Sequence, residues 1–253
     1  MLFLLLSVSF QDSKKILKNF YEKYPRTFYC PCDIKENKAI CVGNTSSIEW
    51  EHIVPVSFLS KQKSSHHPIC LKKKIRGRKC LEKVDKEFQI FTADMHNLIP
   101  ESGFLNRKRS NLPFKDSVSF FLRKEQPIQY CDFFVQKDRV VLPKSSIRGL
   151  VARAFLYMQN TYPYNILTKE DLVLFHQWDE QYPSFEEECL RNDFIQKKQG
   201  NDNPFIRRHC KKEKRVFASI HEDKPMFSHE RKSTIFSPWV KMIKKFLLSV
   251  GGR

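Results

Sequence analysis

Eight cysteines constrain the fold of this 253-residue chain more than any other feature of its sequence. They stand at Cys30, Cys32, Cys41, Cys70, Cys80, Cys131, Cys189 and Cys210. An even number of cysteines behind an apolar N-terminal stretch is typical of an exported, disulfide-bonded protein. Zinc binding is the alternative, but the spacing of Cys30 and Cys32 lacks the paired pattern of structural zinc sites. We therefore expect up to four disulfides.

The pairing is only partly predictable, because eight cysteines allow about a hundred connectivities. Cys70 and Cys80 are close in the sequence, so we expect them to pair. Closing so short a loop is expected to stabilise the fold by ~3 kcal/mol in the chain-entropy model. Cys131 is predicted to pair with Cys189. Two bridges are then expected among the four that remain, which are Cys30, Cys32, Cys41 and Cys210.

The N-terminal residues 2–10 are apolar but too few to span a membrane as a helix. They resemble the hydrophobic part of a secretory signal, although no basic segment precedes them. We expect residues 1–11 to be a signal or the remnant of one, and the protein to be periplasmic or secreted. A buried N-terminal helix is the alternative.

The net charge of +17, from 45 Lys and Arg against 28 Asp and Glu, favours polyanionic partners. Nucleic acid, an anionic membrane and an acidic polysaccharide all satisfy that condition. The 7 glycines form no GxGxxG or GxxxxGK run, which argues against glycine-rich nucleotide-binding folds. Residues 211–253 are a basic C-terminal extension whose end could pack on the domain, a membrane or nucleic acid.

The apolar spacing predicts a mixed α+β fold in which helices dominate. Residues 29–47, with Pro31 and three cysteines, are predicted to form a cross-linked loop. Thr168 is the expected N-cap of one helix. Helices are predicted at 12–27, 88–99, 147–160 and 168–181, and a hairpin from 130–135 to 139–142.

Two short strings contain the residues best suited to chemistry. The string IEWEHIVPVSF contains Glu51 and His52, and FTADMHNLIPE contains Asn97. A carboxylate and an amide oxygen are hard ligands suited to Mg²⁺. A neutral imidazole can take a proton from water near neutral pH, and an arginine can hold phosphate oxygens. These are the groups that phosphodiester hydrolysis requires.

Several ordered blocks make the chain resemble the endonuclease I family of periplasmic and secreted nonspecific nucleases, whose active site is a ββα-metal, or His-Me, finger. The resemblance covers roughly residues 12–210. The matching blocks include TFYCPCDI, IEWEHIVP, GRKC, FTADMHNLIP, the Asn106 to Asn111 run, RGLVARAFLYM and WDEQYPSFEEECLRNDFIQKKQGNDNPF. The resemblance implies a nuclease domain over 12–210 with a ββα finger and disulfide bridges.

The resemblance also implies specific roles. Glu51 and Asn97 would bind one Mg²⁺, with Mn²⁺ or Ca²⁺ as alternatives. His52 would be the general base, and Arg78 would contact the scissile phosphate, with Arg76 as the other candidate. The substrate would be DNA and also RNA, cut with little sequence preference to leave 5′-phosphate ends by a monomeric enzyme. Further contacts to nucleic acid are expected from Lys72, Lys73, Lys74, Arg76, Lys79, Asn106, Arg107 and Arg109.

A different class of function competes with this one. A secreted basic protein that binds nucleic acid or a membrane surface without catalysis would have the same charge and cysteines. The tail 211–253 could serve a membrane or protein partner in either case. His96 and Asp94 are expected to support the site rather than to react.

Overall fold

The computed structural model describes residues 8–75, 77–116, 133–136 and 140–210. Helices dominate this part of the chain and small antiparallel sheets accompany them, so the predicted α+β class is confirmed. None of the described helices is long and apolar enough to cross a membrane. The tail 211–253, Cys131 and Arg76 lie outside the described residues, so the predictions made for them stay predictions.

Helix α1 (Phe10–Lys23) begins inside the segment predicted to be a signal. Ser9 caps it by accepting a hydrogen bond from the backbone of Asp12. Leu17 and Phe20 are buried on its inner face. The helix ends at Lys23, because a proline at position 25 disfavours helical backbone before it.

A four-stranded antiparallel sheet follows, in the order β1-β2-β3-β4. Its strands are β1 (Asp33–Lys35), β2 (Lys38–Cys41), β3 (Asn44–His52) and β4 (Leu98–Ser102). The prediction of a loop over 29–47 is therefore wrong. Glu36 and Asn37 have positive φ values of 48° and 59°, as a tight hairpin turn requires. Strands β1 and β2 have only three and four residues, so no hydrophobic alternation marks them.

The prediction of one helix over 88–99 is also wrong at its C-terminal end. Helix α5 (Lys86–Ala93) stops before Asp94, whose carboxylate accepts a hydrogen bond from the backbone of His96 at 2.9 Å. That bond starts a single 3-10 turn over Met95–Asn97, and β4 begins at the next residue. The apolar residues of this stretch are buried in both halves, so the pattern could not separate helix from strand.

Between β3 and α5 the chain forms three short helices, α2 (Val56–Ser64), α3 (Pro68–Lys72) and α4 (Arg78–Val84). The predicted disulfide between Cys70 and Cys80 is confirmed and joins α3 to α4.

Helix α6 (Gly103–Arg109) follows β4 directly, so β3, β4 and α6 form a ββα unit. A side chain at Gly103 would place its Cβ 2.7 Å from Glu49 Oε1, so glycine leaves room for the Glu49 carboxylate where α6 meets β3.

The C-terminal half follows the predictions closely. Strands β5 (Phe134–Gln136) and β6 (Val140–Leu142) pair as a hairpin. Thr168 caps α8 within a capping box that also uses Asp171. The helices are α7 (Ser145–Thr161), α8 (Lys169–Gln181) and α9 (Glu186–Gln199). Residues 204–210 are also helical.

One disulfide corrects the predicted partners of both Cys189 and Cys210. Cys189 pairs with Cys210, not with Cys131, and Cys32 pairs with Cys41. Cys30 is disulfide-bonded as well. The correction has a simple cause: the chain turns back after α9, so the end of the 204–210 helix returns beside the first turn of α9. Hydrogen bonds between Asn192 and Asn203 hold that return.

Candidate active site

Glu51 lies near the end of β3 and is only 6% exposed. Its Oε1 atom accepts hydrogen bonds from the Tyr29 hydroxyl at 2.7 Å and from Arg109 Nη1 at 2.8 Å. Its Oε2 atom accepts no side-chain hydrogen bond from any residue that the structure describes, and the backbone amide of His52 also acts on this carboxylate. Burial raises the pKa of this carboxyl group, and the charge of Arg109 and the two hydrogen bonds oppose that shift.

Arg109 is 1% exposed and projects from α6 into the unit. Besides Glu51, its guanidinium donates to the backbone carbonyls of His52 and Ile53. The prediction that Arg109 contacts nucleic acid stays a prediction, and in the structure the guanidinium has its partners inside the unit instead. The cause is that the strand end presents a buried carboxylate and two backbone carbonyls, and this buried cation donates to all three.

His52 follows Glu51 and is also 6% exposed. Its Nε2 lies 2.9 Å from the carbonyl oxygen of Thr92. A carbonyl can only accept, so Nε2 carries the proton and Nδ1 has the free lone pair. Burial lowers the pKa of His52 to about 4, helped by the charges of Arg78 and Arg109, although the bond to Thr92 opposes the shift. The ring is therefore neutral at physiological pH.

Two further groups surround His52. The ring of Phe10, the first residue of α1, stacks on the imidazole with centroids 5.1 Å apart. The guanidinium of Arg78 lies 5.6 Å from the centroid of the same Phe10 ring. Arg78 starts α4 immediately after Gly77, which has a φ of 68°. Its half-exposed side chain pairs with Glu82.

Asn97 lies just before β4 and its backbone carbonyl accepts a hydrogen bond from the Ile53 amide at 3.1 Å. Its side-chain oxygen accepts from the Val54 amide at 2.7 Å, and its side-chain nitrogen donates to the Val54 carbonyl at 3.0 Å. Asn97 has no exposed surface. The backbone of Asn97 thus lies next to the end of β3 that carries Glu51 and His52, but its side-chain amide is hydrogen-bonded to Val54.

Asn106 is a second amide in the same ββα unit. It is half-buried on α6, and its Nδ2 donates to Glu49 Oε2 at 2.9 Å. No described residue donates a hydrogen bond to its Oδ1. Glu49 and Glu51 lie two residues apart on one face of β3, and Asn106 and Arg109 lie three apart on one face of α6. These two faces meet, because Asn106 contacts Glu49 and Arg109 contacts Glu51.

The expected basic contacts lie mostly on the surface. Arg107 is exposed and forms an ion pair with Glu49. The remaining described lysines of the predicted contact set are all exposed: Lys72, Lys73, Lys74 and Lys79. They lie on the loop closed by the Cys70–Cys80 disulfide, which also leads into Arg78.

A family model described as endonuclease I matches residues 6–210. The chain belongs to the endonuclease I family. An extracellular deoxyribonuclease of Aeromonas hydrophila is 38% identical over 220 residues, which cover 80% of this chain and 89% of that relative. A periplasmic deoxyribonuclease of the same organism is 36% identical, over 80% of the chain and 86% of the relative. Endonuclease-1 of Buchnera aphidicola subsp. Acyrthosiphon pisum is 33% identical, over 79% and 84%.

The match to the endonuclease I model confirms the predicted family and the predicted enzyme class, an endonuclease. The disulfides are consistent with a location outside the cytoplasm, which is also where the names of the Aeromonas relatives place those proteins.

No group of three or more His, Cys, Asp or Glu side chains is arranged to hold a metal ion in the described ranges. An endonuclease I site that uses one carboxylate and one amide would not form such a group. The donor chemistry fits a hard cation at Glu51 Oε2, which has no side-chain partner among the described residues. A cation fits less well at Asn97, because its buried side-chain oxygen already accepts a hydrogen bond from the Val54 amide.

Four residues at this candidate site were not predicted from the sequence. Thr92 fixes the tautomer of His52, Tyr29 contacts Glu51, Glu49 contacts Asn106, and Phe10 covers the imidazole. Recognising β3 as a strand would have identified Glu49, because it lies two residues before Glu51 on the same face. The others depend on long-range packing that no local pattern reveals.

Proposed function

We propose that this protein is a metal-dependent deoxyribonuclease that also hydrolyses RNA, with little sequence preference, leaving 5′-phosphate ends. The single observation that supports this most is the state of His52. Its Nε2 proton is held by Thr92, its Nδ1 is available, and its low pKa keeps it neutral. A neutral imidazole fixed in one tautomer beside a buried carboxylate is the arrangement that a general base requires.

In the proposed reaction, Nδ1 of His52 takes a proton from the attacking water. The water oxygen bonds to phosphorus as the P–O3′ bond breaks, and the 3′ oxygen then takes a proton from solvent. The bond between Nε2 and Thr92 supports the imidazolium that forms, because the carbonyl oxygen of Thr92 faces the added charge.

The metal would be held by Glu51 through Oε2 together with one amide oxygen. Mg²⁺ is the expected ion, with Mn²⁺ or Ca²⁺ as alternatives. When bound, it would make water more acidic and offset charge on the phosphate. Asn97 was the amide predicted from the sequence. Its complete burial and its two bonds to Val54 instead favour Asn106, whose oxygen has no donor among the described residues.

Arg78 and the basic loop would bind the phosphate backbone. Arg78 lies close enough to His52 for its charge to lower the pKa of that imidazole. Its only described ion pair is with the half-exposed Glu82, a contact that a phosphate could replace at low cost. Contacts of this kind read phosphates rather than bases, which supports the expected lack of sequence preference.

We place the protein in the periplasm or outside the cell. The disulfides support that location, because they would not persist in a reducing cytoplasm. A monomer acting on DNA remains our expectation.

The test is cleavage of supercoiled plasmid by the oxidised full-length protein, with Mg²⁺ or with EDTA. We expect relaxed and then linear DNA in Mg²⁺ only, and cleavage slowed about 10²- to 10⁴-fold with the His52→Ala variant. The competing function, binding without catalysis, predicts a gel shift with no cleavage in Mg²⁺, Mn²⁺ or Ca²⁺. That result would overturn the proposal.

A further inference from the structure

We propose that Tyr29 is a positioning residue that, together with Arg109, leaves Glu51 a single oxygen for the metal ion. This inference rests on the proposed function, because it concerns how the same carboxylate binds the ion. The observation behind it is that both contacts converge on one atom. The Tyr29 hydroxyl lies 2.7 Å and Arg109 Nη1 lies 2.8 Å from Glu51 Oε1.

The backbone of Tyr29 is anchored from the opposite side by a second buried carboxylate. Glu101 on β4 accepts hydrogen bonds from the Tyr29 amide at 2.6 Å and from the Phe28 amide at 3.1 Å. Glu101, like Tyr29, has no exposed surface. The residue is thus held at its backbone by Glu101 and at its hydroxyl by Glu51.

The ring of Tyr29 is also fixed by aromatic packing. It stacks on Phe133 with centroids 4.6 Å apart and an angle of 24° between the planes. It also meets Phe114 at 6.1 Å, and the guanidinium of Arg109 lies 4.7 Å from that same Phe114 ring. The two donors to Glu51 therefore pack against a common aromatic residue, so neither can turn away without opening a gap in the core.

The segment that carries Tyr29 is cross-linked immediately after it. Cys30 is disulfide-bonded, and Cys32 is bonded to Cys41 on β2. Thr27 closes the intervening turn, since its backbone amide donates to the Cys32 carbonyl at 3.0 Å. The tyrosine is therefore presented to Glu51 by a rigid turn.

The consequence concerns the geometry of the carboxylate. With Oε1 occupied by two donors, only Oε2 can bind the ion, in a monodentate manner. Hydrogen bonds that orient a ligand in this way commonly change metal affinity about 10- to 100-fold when they are removed. Phenylalanine at position 29 would keep the ring packing and remove only the hydroxyl, so its effect would report on orientation.

The experiment measures binding of Mn²⁺ alone to the oxidised full-length protein, without DNA, by titration with detection of free Mn²⁺. We expect Tyr29→Phe to raise the Kd for Mn²⁺ about tenfold. The metal concentration for half-maximal cleavage should rise equally, and the rate at saturating metal should stay within about threefold of wild type, since the base is untouched.

The matched control is Tyr162→Phe. Tyr162 is also buried and donates to a buried carboxylate, Asp94, at 2.8 Å. If Tyr29 had only a structural role, Tyr29→Phe and Tyr162→Phe would both lower Tm and leave the Kd unchanged. An unchanged Kd in Tyr29→Phe would therefore overturn the inference.

Glu51→Gln separates this inference from the proposed function. If Glu51→Gln weakens Mn²⁺ binding and Tyr29→Phe does not, only the positioning role fails. If Glu51→Gln leaves the Kd unchanged, the metal assignment of the proposed function is wrong, and the role of Tyr29 falls with it. Weaker binding in both variants, with Tyr162→Phe unchanged, supports both proposals.

Discussion

The side-chain amide of Asn106 on α6 reaches the carboxylate of Glu49 on β3, with 2.9 Å between Nδ2 and Oε2. This contact brings the helix across the strand on the face that Glu49 shares with Glu51. The amide of Asn97, by contrast, is enclosed by the backbone of Val54. The two asparagines therefore have different expected roles.

We predict that Asn106→Ala and Asn97→Ala fail in different ways. Asn106→Ala should raise the Mg²⁺ concentration for half-maximal cleavage about tenfold or more with little change in Tm. Asn97→Ala should lower the free energy of unfolding by about 1–3 kcal/mol, because it leaves buried backbone groups of Val54 without partners. Metal titrations and denaturant unfolding measure the two effects. An unchanged metal requirement in Asn106→Ala would return the ligand role to Asn97.

We predict that His52→Ala loses about 10²- to 10⁴-fold in cleavage rate while its affinity for DNA stays unchanged, because a general base contributes to the chemical step and not to binding. Single-turnover cleavage in Mg²⁺ and a gel shift in EDTA provide the two measurements. His66→Ala is the control, since His66 is exposed on the loop after α2 and should behave as wild type. A His52→Ala variant with full activity would remove the base assignment.

The exposed lysines of the Cys70–Cys80 loop should contribute affinity in proportion to their charge. We predict that the triple variant with alanine at Lys72, Lys73 and Lys74 binds DNA more weakly and with a salt dependence that is shallower by up to about 3 in the slope of log K against log salt. Alanine at Lys197 and Lys198, which are exposed on α9, is the control. Equal slopes in the two variants would show that the loop does not contact DNA.

Buried His96 predicts how stability depends on pH. Burial lowers the pKa of His96 to about 4 from its usual value of 6.5, so the unfolded chain binds the proton more readily between those values. The free energy of unfolding should therefore be fully maintained above about pH 6.5 and fall as the pH drops toward 4. We expect His96 to contribute about 2–3 kcal/mol to that fall.

Urea unfolding at pH 7.5 and pH 4.5, in EDTA, checks this prediction with wild type and His96→Gln. The difference between the two pH values should be smaller in the variant. If wild type and His96→Gln lose the same stability on acidification, His96 does not hold the predicted low pKa.

The sequence was most informative where periodicity and capping act locally. Thr168 is the N-cap of helix α8 as expected, because the capping box consists of residues three positions apart in the sequence. Strands β1 and β2 were missed because they are short and polar, and their turn depends on Glu36 and Asn37 with positive φ. The register of β2 is set by pairing with β3 and that of β1 by pairing with β2, which local patterns do not encode.

The same distinction applies to the site. Glu51 and His52 were recognisable because polar residues interrupt an apolar segment. The partners that define their chemistry, Thr92 for His52 and Tyr29 for Glu51, are 40 and 22 residues away. Arg109 was expected to contact nucleic acid, and only the fold shows that its guanidinium is enclosed beside Glu51 and the carbonyls of His52 and Ile53.

The most direct test of this account is the position of Mn²⁺ in crystals of the oxidised protein, located by its anomalous scattering. We predict a peak between β3 and α6 at about 2.0–2.3 Å from Glu51 Oε2, with the Asn106 side-chain oxygen as a second ligand and His52 Nδ1 facing the space beside it. An anomalous peak only at other residues, or no peak at Glu51 at saturating Mn²⁺, would contradict the account.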